Sequence, residues 1–213
     1  MVQNTYYPDF DVLNSIKEWD PTTADVVLKR LGPFPPLKFL RGEEEMRLRV
    51  IAKHLVYDTR DDIFNWVIHF IDNRLNEGIG EYQREPDAPS EDILVREGLI
   101  AIDNLSYKIH QKDFLNIGIK DQFKILSDLQ VGKAASIPDW SKIPQKQLFD
   151  KLLILTVSGY YSHPTVWSEM GYGGPAYPRG YYRIEFGLTD PWEAVRRNEG
   201  DKKKIDKEDS DGV

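Results

Sequence analysis

The sequence predicts an all-α protein: an irregular helical bundle with a long Gly/Pro/aromatic loop segment near the C-terminus and a disordered charged tail. Three observations carry this. Apolar residues recur at i, i+3, i+4 and i+7 over long stretches, the spacing of one helix face. No window alternates apolar and polar residues for long between turn residues, so strand signals are weak. The helical period stops after Val157, where prolines, glycines and rings crowd together.

Taken in order, residues 1–19 read as a polar N-terminal arm with scattered apolar positions, among them Tyr6, Tyr7, Phe10, Leu13 and Ile16. Asp20 followed by Pro21 is a helix start, because an Asp N-cap accepts from free N–H groups and proline suits the first helical position. The stretch "PTTADVVLKRL" is a short helix that Gly32 and Pro33 end. "GPFPPLKF" is extended, since each residue before a proline is pushed out of the α region. From Glu43 the helical period resumes, with Met46, Val50, Ile51 and Leu55 on one face.

Phe64, Val67, Ile68, Ile71 and Leu75 form the next stripe, and Ile63, Trp66 and Phe70 widen it until little polar face remains. That helix is expected to be central, ending at Gly78 and Gly80. "REPDAPSED" is turn-rich, with Ser90 placed to cap a helix carrying Val95, Leu99, Ile102, Leu105 and Ile109. Ile119, Phe123 and Leu126 mark a shorter helix. Pro144 opens another through Leu148, Leu152, Leu153 and Leu155. Residues 20–194 thus read as one helical domain. The remainder, 195–213, reads as a disordered tail, because it is charged and lacks an apolar face.

Composition narrows the function. The 213 residues carry a formal net charge of -7 and no cysteine. An acidic chain is a poor partner for nucleic acid, which wants clustered Lys and Arg. Lack of cysteine excludes disulfides, thiolate metal sites and cysteine nucleophiles. No apolar run approaches the ~20 residues of a membrane-spanning helix. The opening residues lack the basic and apolar regions of a signal peptide, and Lys29-Arg30 is not a twin-arginine pair.

"HPTVWSEMGYGGPAYPRGYY", His163 to Tyr182, is expected to be non-helical and ordered. Glycines admit positive φ and prolines fix φ, so together they specify one irregular path. The rings alone cannot offset the entropy of ordering so long a segment, which must therefore lie on other surface, its own helices or another chain.

Three chemistries are weighed on these residues. Ser158, His163 and Asp190 supply the residue types of a hydrolase triad, but no nucleophile elbow surrounds Ser158; His163 before Pro164 reads as a hydrogen-bonding residue that fixes the loop's start. The histidines His54, His69, His110 and His163 show no metal-ligand spacing. "GYGGPAYPRG" has neither the preceding strand nor the following helix of a dinucleotide loop. A carbohydrate-binding module using the ring faces is a rival reading.

The stretch "GYYSHPTVWSEMGYGGPAYPRGYYRIEFGLTDPWE" resembles the C-terminal signature of the gluconate 2-dehydrogenase subunit 3 family. The likeness extends back through "FLRGEEEMRLRVIAKHLV", "VREGLIAIDNLSYKIHQKDFLNIGIKDQFKILSDLQ" and "KIPQKQLFDKLLILTVSGYY", over roughly residues 19 to 194. The resemblance implies a mostly helical, non-catalytic accessory subunit. Its partner would be a large flavoprotein of the glucose-methanol-choline type, often with a cytochrome subunit as well. FAD is expected in that partner, with no cofactor in this chain. Many members carry a twin-arginine signal; this sequence departs from them, leaving its compartment open between the cytoplasm and export with the partner.

Trp, Tyr and Arg on a rigid loop are residue types enriched at interface hot spots. The candidate contacts are Trp167, Tyr172, Tyr177, Arg179, Tyr181 and Tyr182, with Gly173, Gly174 and Pro175 setting the loop's shape.

Overall fold

The computed structural model describes residues 5–78, 89–180, 183 and 190–196. The expected turn-rich loop before Pro89, Tyr181 and Tyr182, and the charged tail from residue 197 lie outside the described residues. The described residues are all-α: α1 Pro21–Leu28, α2 Gly42–Val56, α3 Asp61–Glu77, α4 Glu91–His110, α5 Ile119–Val131, α6 Gln145–Tyr160 and α7 Pro164–Met170, with short 3-10 turns between them. They form two compact units. One is Pro33–Tyr160; the other joins the two ends of the chain, Met1–Gly32 with Tyr161–Val213.

The Pro33–Tyr160 unit is built around α6, which packs on α2, α3, α4 and α5. α3 and α6 pack on one another, and Leu148, Leu152 and Leu155 of α6 and Phe64, Val67, Ile68 and Ile71 of α3 are all buried in the core. α4 comes close to α6 because Gly98 has no side chain where Leu148 sits. α3 is tied to α6 by a hydrogen bond from Trp66 Nε1 to the Gly159 carbonyl, 3.0 Å.

The buried face of α2 differs from the expected one. Arg47, Leu48, Ile51 and Ala52 are buried, while Met46 is 46% exposed. The stripe is displaced because Arg47 can enter it: its guanidinium meets Asp103 at 2.8 Å and Glu43 at 2.7 Å. A paired charge can occupy a core-facing position that apolar periodicity alone does not flag.

The extended connector is held by one carboxylate. Asp72, fully buried on α3, accepts from the backbone N–H groups of Lys38 (2.7 Å), Phe39 (2.9 Å) and Leu40 (2.7 Å). Proline-rich backbone has no ladder of its own, so its N–H groups need such a partner.

A second buried carboxylate sits at the turn into α3. Asp58 accepts from the Arg60 guanidinium and backbone N–H, and from the Tyr160 hydroxyl at 2.8 Å. Burial works against its charge, but these donors prevail and hold its pKa at about 2, below the ordinary 3.8. Tyr160 is shifted the other way, by burial first and by the carboxylate beside it. A lowered folded pKa contributes stability above the unfolded value, lost as pH falls through the folded one. Asp58→Asn is therefore expected to cost on the order of 1–2 kcal/mol at neutral pH, and the gap to the native chain should close between about pH 4 and pH 2. Urea midpoints of the two proteins across that range check it; a gap that stays constant would show that the ionised carboxylate is not what counts.

Candidate functional site

The other unit places the aromatic segment on the chain's own N-terminal residues. Val12–Glu18 forms a 3-10 turn begun by Asp11, which accepts from the Leu13 N–H. Val12, Trp19 and Val27 are buried together, with Phe10, Leu13, Ile16 and Trp167 packed around them. α1 starts as expected, Asp20 accepting from the N–H groups of Thr22 and Thr23 with Pro21 in the first turn.

His163–Met170 departs from the non-helical expectation. Pro164–Met170 is a helix, and its signals are local ones. Buried His163 caps it, Nδ1 accepting from the Thr165 N–H at 3.2 Å; Pro164 fills the first turn, and Gly171 closes it at φ 75. Between them "TVWSEM" contains no breaker. The proline and glycine stand at the helix's two borders, where they start and stop it, and leave its interior free of breakers.

α7 is fixed to the N-terminal residues by side chains. The Val12 N–H donates to Ser168 Oγ at 3.0 Å, and Thr5 Oγ1 donates to the Glu169 carbonyl at 2.5 Å. Trp167 donates from Nε1 to the Tyr161 carbonyl at 2.6 Å and meets Tyr172 edge-on at 5.2 Å. Arg30 lies over the Trp167 ring, 5.1 Å from its centre, and donates to the Ser162 carbonyl at 2.7 Å. Burial pulls the Arg30 pKa below its ordinary value, with Tyr172 acting in the opposite direction.

Past α7 the chain is shaped by close approach. At Gly174, φ 80, a Cβ would stand 2.6 Å from the Trp19 ring and 3.0 Å from Val12. At Gly171 a Cβ would stand 2.5 Å from the Tyr7 ring. Both positions also need the left-handed region that side chains avoid. Gly173 lies against Trp192, and the turn contains a cis Tyr177–Pro178 bond.

Arg179 closes the loop from inside. Its Nη2 donates to the carbonyls of Gly173 (2.8 Å) and Pro175 (3.0 Å), its Nη1 pairs with Glu18 at 3.1 Å, and it covers the Trp192 ring at 4.8 Å. Only 6% of its side chain is exposed.

The candidate residues thus divide. Trp167 is half-buried in the cluster, Gly173, Gly174 and Pro175 follow the internal path, and Arg179 is committed to the loop's own carbonyls. Tyr172 and Tyr177 face outward, 42% and 70% exposed, and Met170 and Tyr161 are exposed as well. Tyr181 and Tyr182 lie outside the described residues. Arg30 and Glu18, which complete the loop, carry no local sequence signal because their partners lie more than a hundred residues away.

The residues weighed as a triad have other duties here. His163 is a buried helix cap, Asp190 accepts from the Arg183 N–H at 3.1 Å, and Ser158 is exposed on α6. Among the described residues no three His, Asp or Glu side chains gather as a metal site, and no helix is long and apolar enough to cross a membrane. The glycine-rich turn follows a short helix, and its Gly173 and Pro175 carbonyls accept from Arg179.

A family model described as gluconate 2-dehydrogenase subunit 3 matches residues 43–174. No curated protein and no solved structure matches the chain. The matched span runs from α2 through α7 to Gly174, so Tyr172 lies within it and Tyr177 beyond it.

Proposed function

The chain belongs to the gluconate 2-dehydrogenase subunit 3 family, and on that premise we propose that it is a non-catalytic accessory subunit, docking through Tyr172, Tyr177 and Met170 onto the flavin-bearing chain of a dehydrogenase complex. The observation that carries this reading is a pair of exposed tyrosines on a loop whose shape is already fixed by Arg179, Gly174 and α7. A preorganised loop loses little further freedom on binding, so ring burial is available for affinity. Tyrosine suits such a role, giving a broad apolar face at small rotamer cost with a hydroxyl for the rim.

In this assignment the flavin and the redox chemistry reside in the larger chain, of the glucose-methanol-choline type. The accessory chain stabilises that partner or helps it assemble; a cytochrome subunit fits the same complex.

Co-expression with the large chain tests it. The Tyr172→Ala/Tyr177→Ala pair is expected to weaken association by about 100-fold, two hot-spot truncations of ~1–2 kcal/mol each. The variant should keep its helical circular dichroism and melting temperature, since neither ring is in the core. Undiminished association with both rings removed would overturn the assignment of this surface.

A further inference from the structure

The Pro33–Tyr160 unit carries a cleft of about 460 Å³ between the extended segment Phe34–Leu37 and the outer sides of α2 and α3. Phe34, Glu45, Arg49, Asn65 and His69 line it. Its volume falls in the range of about 300–1,000 Å³ typical of small-molecule sites.

The polar lining is organised by its own hydrogen bonds. Arg49 donates from Nε to Glu45 Oε1 at 2.6 Å and from Nη1 to Asn65 Oδ1 at 3.0 Å. Three groups keep their capacity: among the described residues, Arg49 Nη2, Asn65 Nδ2 and Glu45 Oε2 have no protein partner. Two donors and an acceptor are thus set beside one another by the Glu45–Arg49–Asn65 hydrogen bonds.

His69 and Phe34 form the inner wall. His69 is 8% exposed, its ring is 5.2 Å from the Phe34 ring, and its buried Nδ1 has no partner among the described residues. Burial, more than the nearby Lys38, keeps the imidazole below its ordinary pKa, against the pull of Asp72. The shift favours the uncharged form of the ring.

Charge selects among ligands. Arg49 is already matched by Glu45 in contact, and nearby Asp61 is itself paired with Lys53 at 2.7 Å. Among the lining residues Glu45 cancels the charge of Arg49, so an entering carboxylate or phosphate finds no unmatched cation in the lining itself. Hydroxyl groups both donate and accept, and adjacent ones match donors and acceptors set side by side. We propose that this cleft binds a neutral polyhydroxyl molecule, a sugar or polyol, with Arg49, Asn65 and Glu45 taking its hydroxyls beside the Phe34 ring. The site lies wholly within Pro33–Tyr160 and is independent of the docking surface on the other unit.

Amide NMR shifts of the full chain, titrated with D-glucose, sorbitol and D-gluconate, test the assignment. Saturable shifts confined to residues around positions 34–37, 45, 49, 65 and 69 are expected with glucose or sorbitol, at a Kd of about 1–10 mM. Gluconate should bind at least about threefold more weakly than glucose, its carboxylate facing Glu45. Asn65→Ala, an exposed position that leaves the fold intact, should weaken glucose binding by about fivefold, the worth of one hydrogen bond. The absence of saturable shifts with both glucose and sorbitol overturns the proposal, as do shifts unchanged in Asn65→Ala. Gluconate binding more tightly than glucose overturns the assignment to neutral ligands.

Discussion

Asp72→Ala is expected to remove about 3–5 kcal/mol of stability, among the largest costs of any single substitution in the Pro33–Tyr160 unit. The carboxylate is fully buried and accepts from three successive backbone N–H groups, of Lys38, Phe39 and Leu40. Alanine strands those donors and leaves a void where the carboxylate stood. Asp72→Asn keeps the shape and one acceptor oxygen, so it should cost less, about 1–3 kcal/mol. Urea denaturation followed by far-UV circular dichroism measures both. A loss below about 1 kcal/mol for alanine would mean that the connector holds its path without the carboxylate.

Gly174→Val is expected to be the most damaging change in the unit formed by the two chain ends. The backbone there has φ 80, and a Cβ would stand 2.6 Å from the Trp19 ring. A β-branched residue meets both the left-handed penalty and the ring, together about 3–5 kcal/mol. The loop should detach from Trp19, dimming the near-UV aromatic dichroism, while far-UV signal from the larger unit stays. Under the proposed docking, association with the large dehydrogenase chain should fall by about 100-fold or more, with Tyr172 and Tyr177 themselves unaltered. Gly174→Ala, meeting the same ring with a smaller group, should give an intermediate loss. A valine variant with native near-UV dichroism would show that Trp19 can move aside, and the loop's shape would not depend on the glycine.

These two residues also show what was legible in the sequence. The α3 and α6 stripes were readable because long apolar runs at helical spacing have one packing solution. α1 was readable from Asp20 and Pro21, which act on their immediate neighbours. The face of α2 was misjudged because Arg47 enters the core through an ion pair with Asp103, a residue of another helix. α7 was missed although His163, Pro164 and Gly171 marked both its ends.

The aromatic segment illustrates the same division. Its glycines announced a fixed irregular path, and Gly171 and Gly174 do take positive φ. Which rings face outward was not readable. Trp167 turns in because Val12, Trp19 and Val27 wait for it, and Arg179 turns in because Glu18 and two loop carbonyls receive it. Partners separated by most of the chain leave no trace in local pattern.

Because Val12, Glu18 and Arg30 find their partners at Ser168, Arg179 and Ser162, the loop cannot take its shape during synthesis until the residues around Arg179 have left the ribosome. A product terminated before α7 would leave Trp19 without Trp167 and Gly174 beside it.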